Sequence, residues 1–557
     1  MALGKRAYWL AGAAAIAMTS GAQAAVSNST DMGATTVAAQ PSGNLQLAQA
    51  DMPRSTSTSM GDLENRIRAL EDQQDRVQND RTRLSTLEQS YASAAWTFDN
   101  GRPVFSSGDG RFTMAVRMRF QTDFAGYNQN QSDVHGTGFS GPTDLSTGVA
   151  MRRAYFGVEG KVYNDFAYEF RLNAGGSDGG SFGAAGVPTG GEGDPLLNKA
   201  VVSYTGFPNM HINVGVIEPA FMFEGTTSSA SLMFIERPEI DNIAADSFGA
   251  GDSRRGAEVG WAKSDALWVG DNLAATFTFS GGKTGSAQNH GTNSGLALPG
   301  NGDENSQILG RVSQRLWTNG LSNISVGVSG AQILYSGSNG NPNGGSQTVR
   351  FRDRPQVRVD GARLIDTGAI NAKTANMFAV DMGGNYENFF LGGEYAQFEV
   401  DRQCAGLPAA ACPTATNVID HPHFSGWYLE GSWIITGETK AYTTSALNNE
   451  AGGFQAPVAS RPFSFSGDSW GAWELVARYS DTNLNWRKGQ LATTTQLAGI
   501  NGGDERVLAI GLNWYLNRNV RVMLQDNIVT VHKGTAALPG RDSQDLNVLA
   551  VRLQFAN

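Results

Sequence analysis

A chain of 557 residues with 69 glycines, 40% hydrophobic residues and a formal net charge of -10 is too apolar for a disordered polymer and too acidic for a nucleic-acid binder. Its apolar runs fall short of the roughly 20 residues that a membrane-spanning helix needs, which excludes a helical membrane protein. Acidity by itself names no partner.

Lys5 and Arg6 precede an apolar run from Tyr8 to Met18, and Ala22-Gln23-Ala24 offers small residues for cleavage, so residues 1–24 read as a secretory signal peptide. Residues 25–58, rich in Ser, Thr, Ala and Gln, have little to bury and read as a flexible linker. Residues 59–92 repeat by sevens. Leu63, Leu70, Val77 and Leu84 hold one seam column and Ile67, Gln74, Arg81 and Glu88 the other, which predicts a short α-helical coiled coil joining a few copies of the chain. The alternative is a single solvated helix.

From about Trp96 onward (residues 96–557) the period changes to two. Phe112, Met114, Val116, Met118 and Phe120 alternate with Thr113, Ala115, Arg117, Arg119 and Gln121. A half-buried soluble strand has the same alternation, but in an outer-membrane barrel the apolar row meets lipid and the polar row lines a water-filled lumen. Strand-like runs recur over Ala150 to Tyr163, Phe166 to Ala174, Asn198 to Thr205, Met210 to Ile217 and Arg254 to Ala262, and so on to Leu546 to Phe555, sixteen in all. Short turns such as Tyr163-Asn164-Asp165 and Asn517-Arg518-Asn519 broadly alternate with long loops rich in Gly, Ser and Asn. An even count returns the chain to the side it entered. Two stretches leave eighteen strands open: Val349 to Asp360, despite Pro355, and Gly437 to Ser469, which is too long for an ordinary turn. The expected fold is all-β, a transmembrane antiparallel β-barrel of about sixteen strands with a short N-terminal α-helical coiled coil.

Several stretches together resemble a known family. They are Met151-Arg152-Arg153-Ala154-Tyr155-Phe156-Gly157-Val158-Glu159-Gly160, Phe234-Ile235-Glu236-Arg237-Pro238, Arg358-Val359-Asp360-Gly361, Gly471-Ala472-Trp473-Glu474-Leu475-Val476-Ala477-Arg478-Tyr479-Ser480 and Gly511-Leu512-Asn513-Trp514-Tyr515. The family is that of the phosphate-selective porins O and P of Gram-negative outer membranes, and the resemblance runs over most of Arg111 to Phe555. It implies a sixteen-stranded barrel, usually trimeric, with loops folded into the lumen and anions such as phosphate or polyphosphate passing along inward arginines. The expected partners are small anionic solutes, outer-membrane lipid and lipopolysaccharide, further copies of the chain, and the cell wall through the N-terminal segment; no nucleic acid is expected.

If the apolar residues of each strand face lipid, the opposite parity places Arg117, Arg119, Arg153, Lys161, Glu169, Arg171 and Lys199 in the lumen. A column of guanidiniums there would concentrate anions and grip oxyanions by bidentate hydrogen bonds. The excess of 33 arginines over 9 lysines suits that role and equally suits ion pairing, with Glu159 and Glu169 near enough in sequence to pair with the same arginines. Arg350, Arg352, Arg354 and Arg358, in the long loop from Ser336 to Lys373, form either an inward anion lure or an exposed basic hairpin that binds outer-leaflet sugars. The loop from Glu218 to Arg255 follows the fifth strand and is the natural constriction. Its Glu218, Glu224, Glu236, Glu239, Asp241, Asp246 and Asp252 outnumber Arg237, Arg254 and Arg255, which predicts a transverse field across the lumen. A general-diffusion or cation-preferring porin therefore stands beside the anion-selective reading.

Cys404 and Cys412 are the only cysteines, and in an exported chain they read as a loop-closing disulfide. The six histidines are scattered apart from His421 and His423, no G-x-S-x-G turn occurs, and neither a metal, a cofactor nor an enzymatic activity is expected. A barrel that merely anchors an envelope tether, built from the N-terminal coil, is the other alternative.

Overall fold

The computed structural model describes residues 60–93, 95–99, 101–129, 145–176, 197–283, 305–336, 347–403, 420–443, 452–493, 496–533 and 543–557. The expected signal peptide, the linker and both Cys404 and Cys412 lie outside them. The described chain divides into two units. One is the helix α1 (Met60–Ser93), 34 residues long, on which Leu63, Ile67, Leu70, Val77 and Leu84 are all exposed within the single chain.

The other unit is a closed antiparallel barrel. Its strands are β1 (Thr113–Gln129), β2 (Gly148–Val162), β3 (Phe166–Asn173), β4 (Leu197–Tyr204), β5 (Met210–Ile217), β6 (Arg254–Ser264), β7 (Asn272–Lys283) and β8 (Ser306–Thr318). They continue as β9 (Asn323–Tyr335), β10 (Ile370–Tyr386), β11 (Phe389–Arg402), β12 (His423–Ile434), β13 (Ala472–Trp486), β14 (Ile500–Tyr515), β15 (Val520–His532) and β16 (Ser543–Ala556). Each pairs with its neighbours in sequence, and β16 returns to β1 with Leu546 opposite Gln129 and Ala556 opposite Arg119. Closure leaves no sheet edge inside the bilayer, where an unpaired backbone group would be costly. A short hairpin, Ala95–Asp99 with Arg102–Ser106, adds to the start of β1 through Val104 opposite Ala115.

The sequence alternation sets the two faces of the wall. Phe120, Phe124, Phe156, Phe170, Leu549 and Leu553 are exposed on the outside, whereas Gln121, Asp123, Ala550 and Arg552 are buried inside. One end of the barrel carries tight connections. The shortest, Glu387-Asn388, places Glu387 at φ 51°, in the left-handed region. Apart from the connection between β12 and β13, the longer ones join strands at the other end.

Among the described residues, neither candidate for a seventeenth or eighteenth strand spans the wall. Around Pro355 the chain makes only short fragments, Thr348–Val349 and Arg352–Asp353, the latter pairing with Ile365–Asp366, while Phe351 and Val357 bury themselves in the barrel interior. In the second stretch, two short fragments enter the lumen from the tight-turn end and pair, Tyr442–Thr443 against Gly453–Phe454. There Phe454 packs against the inward Phe390 with ring centroids 5.1 Å apart, and Lys440 reaches buried Glu474 at 2.8 Å.

The interior also departs from the expectation that every inward position is polar. Met377 and Ala379 of β10, Phe398 and Val400 of β11, and Phe424 of β12 point inward and are buried under two inserted loops. The first loop carries α2 (Phe223–Thr226) and α3 (Glu239–Phe248); the second runs from the end of β9 to the start of β10. Phe248 from the first and Phe351 from the second stack with centroids 6.1 Å apart, and Phe398 closes on Phe351 at 5.4 Å. An apolar plug thus fills the β10–β12 side, and open space remains on the β1–β4 side.

Candidate functional site

The space left open is a polar pocket lined by β1–β4 and by the two inserted loops. The first loop is fixed there because wall side chains satisfy its backbone. Arg478 of β13 donates to the Glu236 carbonyl at 2.8 Å, Arg521 of β15 to that of Leu232 at 2.7 Å, and Arg552 of β16 to that of Ile235 at 2.5 Å. Gln525 accepts from the Ile235 N–H at 2.8 Å, and Glu394 from the Phe223 N–H at 3.2 Å. These inward arginines anchor a loop whose carbonyls would otherwise be buried without donors.

Of the residues expected in the lumen, Arg117, Arg119, Arg153, Arg171 and Lys199 line the pocket, and Glu169 is buried among them. Lys161 departs: it has the inward parity, but it lies next to the tight turn after β2 and is exposed at the rim. Much of the cationic charge is paired. Arg117 meets Glu159 at 2.8 Å, Arg171 meets Glu218 at 2.5 Å, and Lys199 meets Glu169 at 2.9 Å. Burial alone would raise the Glu218 carboxyl, but Arg171 and Lys199 outweigh it and hold Glu218 below the usual range.

Arg119 is different. Its Nη1 and Nη2 donate to the hydroxyls of Ser229 and Ser228 at 2.5 and 3.0 Å, and the guanidinium lies 5.5 Å from the Tyr155 ring centroid. Arg171 approaches the same ring at 4.7 Å. Arg237 donates only to backbone, to the carbonyls of Glu224 and Thr227 at 2.8 and 2.7 Å. Among the described residues neither Arg119 nor Arg237 forms a salt bridge, and both face the pocket.

The second arginine cluster divides. Arg350 forms a bidentate pair with Asp366 that braces the second loop on itself, its Nε 2.8 Å from Oδ1, whereas Arg352, 3.6 Å from Asp246 of α3, ties that loop to the first. Arg354 and Arg358 line the pocket, Arg358 3.3 Å from Glu236. Arg254 donates at 2.9 Å to the carbonyls of Ala245 and Asp246 at the end of α3, and Arg255 sits beside it at a strand irregularity; neither lines the pocket. The acidic loop also divides. Glu218, Glu236, Asp246 and Asp252 face the pocket, whereas Glu224, Glu239 and Asp241 are buried away from it. The transverse field expected from seven carboxylates is therefore weakened.

Sequence parity misses Arg152. The β1–β2 ladder slips at Gln121/Thr122, where Arg153 pairs with Gln121 and Met151 with Thr122, so Arg152 is an extra residue that turns inward beside Arg153. A charge at a lipid-facing parity was its signal. Ser228, Ser229 and Arg363, which also line the pocket, had none. Elsewhere Glu399, Asp401 and His421 each bring one ligand atom within 4.8 Å of the others, an approach explained by the 2.9 Å contact of His421 Nδ1 with Asp401.

Residues 115–556 match the family described as phosphate-selective porin O and P. No curated protein matches the chain. Among solved structures the chain is similar to the anion-selective porin from Comamonas acidovorans, with 13% identity over 80% of this chain and 100% of that one and a TM-score of 0.40. It is also similar to the outer membrane channel DcaP of Acinetobacter baumannii, with 11% identity over 81% and 99% of the two chains and a TM-score of 0.40. The Salmonella typhi OmpF complex with daunomycin gives 12% identity over 83% and 100%, with a TM-score of 0.37.

Proposed function

Because the chain belongs to the phosphate-selective porin O and P family, we propose that this outer-membrane channel for small solutes passes oxyanions, phosphate first among them, by diffusion through the β1–β4 side of its lumen. The observation that supports anion passage is Arg119 with Arg237: two guanidiniums on the pocket wall that hold hydroxyls and carbonyls in place of carboxylates. Ser228 and Ser229 beside them add donors for a second and third oxygen of the same anion. Around this point ten cationic side chains (Arg117, Arg119, Arg152, Arg153, Arg171, Lys199, Arg237, Arg354, Arg358 and Arg363) outnumber the seven acidic ones beside them (Glu159, Glu169, Glu218, Glu236, Asp246, Asp252 and Asp353). In a confined lumen that balance raises the local anion concentration.

The rest of the chain fits an exported oligomer. Residues 1–24 direct its export. The exposed seam of α1 supports association of its copies within a trimer, with the barrels set in lipid and lipopolysaccharide. Arg119→Gln and Arg237→Gln test the site. Each is expected to lower the anion-to-cation permeability ratio in reversal-potential recordings, and ratios equal to that of the parent channel would remove the site from the path.

A further inference from the structure

At the long-loop end of the wall, Glu399 and Asp401 alternate with the buried Phe398 and Val400 on β11, so both carboxylates stand on the outer face of the barrel, away from the lumen. Glu399 pairs with His423 across the β11–β12 ladder and Arg402 bridges to Asp420, which sets His421 opposite Asp401 in the same register. His423 lays its ring against Trp486, with centroids 4.2 Å apart. His421 instead meets the carboxylates. Its Nδ1 is 2.9 Å from Asp401 Oδ1 and 4.0 Å from Glu399 Oε1, and one ligand atom from each of the three residues lies within 4.8 Å of the other two.

The hydrogen bond from His421 Nδ1 to Asp401 brings two members of this cluster together, and Glu399 joins them as a second carboxylate on the same nitrogen. Among the described residues neither Glu399 nor Asp401 forms an ion pair with a lysine or arginine. His532 with Asp504, 3.1 Å apart, is the contrasting case of one imidazole with one carboxylate. An imidazole nitrogen with two carboxylate oxygens is a donor set for a divalent metal of borderline softness such as zinc. With metal–ligand bonds of about 2.0–2.2 Å, tetrahedral donors stand roughly 3.4 Å apart. The 2.9 and 4.0 Å separations bracket that spacing. Thr374 Oγ1 donates to the other Asp401 oxygen at 2.5 Å, the kind of outer hydrogen bond that orients a ligating carboxylate. All three side chains are about half exposed, so an ion reaches them from solvent.

We propose that Glu399, Asp401 and His421 form a surface site for a divalent transition-metal ion, zinc in the first instance, that joins the end of β11 to the residues entering β12. A fourth coordination position is left to water. The site stands apart from the lumen and does not depend on which solute the channel passes. On binding, the ion displaces the proton that His421 Nδ1 donates to Asp401, the proton leaves to solvent, and the two positive charges of the metal balance the two carboxylates.

The experiment is calorimetric titration of zinc chloride into the full chain in detergent, after treatment with a chelator, near neutral pH and beside thermal unfolding with and without zinc. The parent is expected to take up zinc with micromolar or tighter affinity, to release protons as it does so, and to unfold at a higher temperature when zinc is present. Glu399→Gln and His421→Ala are each expected to weaken zinc binding by at least about tenfold, the loss that removing even an outer partner of a metal ligand brings. Glu399→Gln is the decisive variant, because a simple pair of His421 with Asp401 survives it. His532→Ala, and Cys404→Ser together with Cys412→Ser, are expected to bind zinc as the parent does. All these surface changes leave the wall intact, and unfolding without zinc confirms that each variant is assembled. A parent that binds no zinc overturns the proposal, as does equal binding in Glu399→Gln or binding that disappears with the two cysteines.

Discussion

Replacing Asp353 by asparagine perturbs the seam where the two inserted loops meet. Asp353 is 1% exposed, its Oδ2 accepts from Asn242 of α3 at 2.9 Å, and its Oδ1 meets no donor among the described residues. Burial pushes the carboxyl from its usual 3.8 up to about 7, with Arg358 and Arg363 pulling it down and Glu239 pushing it further up. A rise of about three pK units corresponds to roughly 4 kcal/mol between the docked and the solvated loop. Between about pH 4 and pH 7 the docked loop holds a proton that the solvated loop has lost, so docking weakens as pH rises through that window and levels off above it. Asparagine carries no charge in either state; Asp353→Asn is therefore expected to leave docking unchanged near pH 4 and to tighten it by up to about 4 kcal/mol at pH 8. Hydrogen exchange or proteolysis within residues 348–366, measured from pH 5 to pH 8, reads the difference directly. A variant with the same pH profile as the parent, or docking that tightens as pH rises, would show that Asp353 does not carry a buried proton in the docked loop.

Three further changes probe other parts of the molecule. Arg552→Ala leaves Asp123 and the Ile235 carbonyl without their buried donor and is expected to cost about 3–5 kcal/mol in denaturant unfolding; a loss below about 1 kcal/mol would mean that this pairing is dispensable. Phe454→Ala removes the ring packed between Phe390 and Phe223, and single-channel conductance is expected to rise as the hairpin loosens; unchanged conductance would place the hairpin outside the solute path. Leu70→Asp with Val77→Asp introduces charges into the exposed seam of α1 and is expected to abolish cross-linking between copies of that helix, while conductance persists; intact cross-linking would leave the seam without a role.

The barrel was legible because lipid on one side and interior on the other impose a period of two on every strand. Met210–Ile217 falls where the alternation places it, and most other boundaries differ by only a few residues. What lies inside was less legible. Parity gives the direction of a side chain but not its partner, so Arg171 and Arg119 read alike in the sequence although one pairs with Glu218 and the other with two serines. Arg152 was hidden because a one-residue slip reverses parity locally. Arg478 and Arg521 fit the alternation, but their role depends on loop carbonyls more than 200 positions away in the chain. Val349 to Asp360 looked like a strand because burial against Phe248 and burial in a wall ask for the same apolar residues.

Passage of anions along the β1–β4 arginines is read by the reversal potential of the purified protein under a chloride salt gradient, measured beside Arg119→Gln. The expected result is anion preference in the parent channel, reduced when Arg119 loses its charge. Cation preference, or an anion preference indifferent to Arg119, would contradict it.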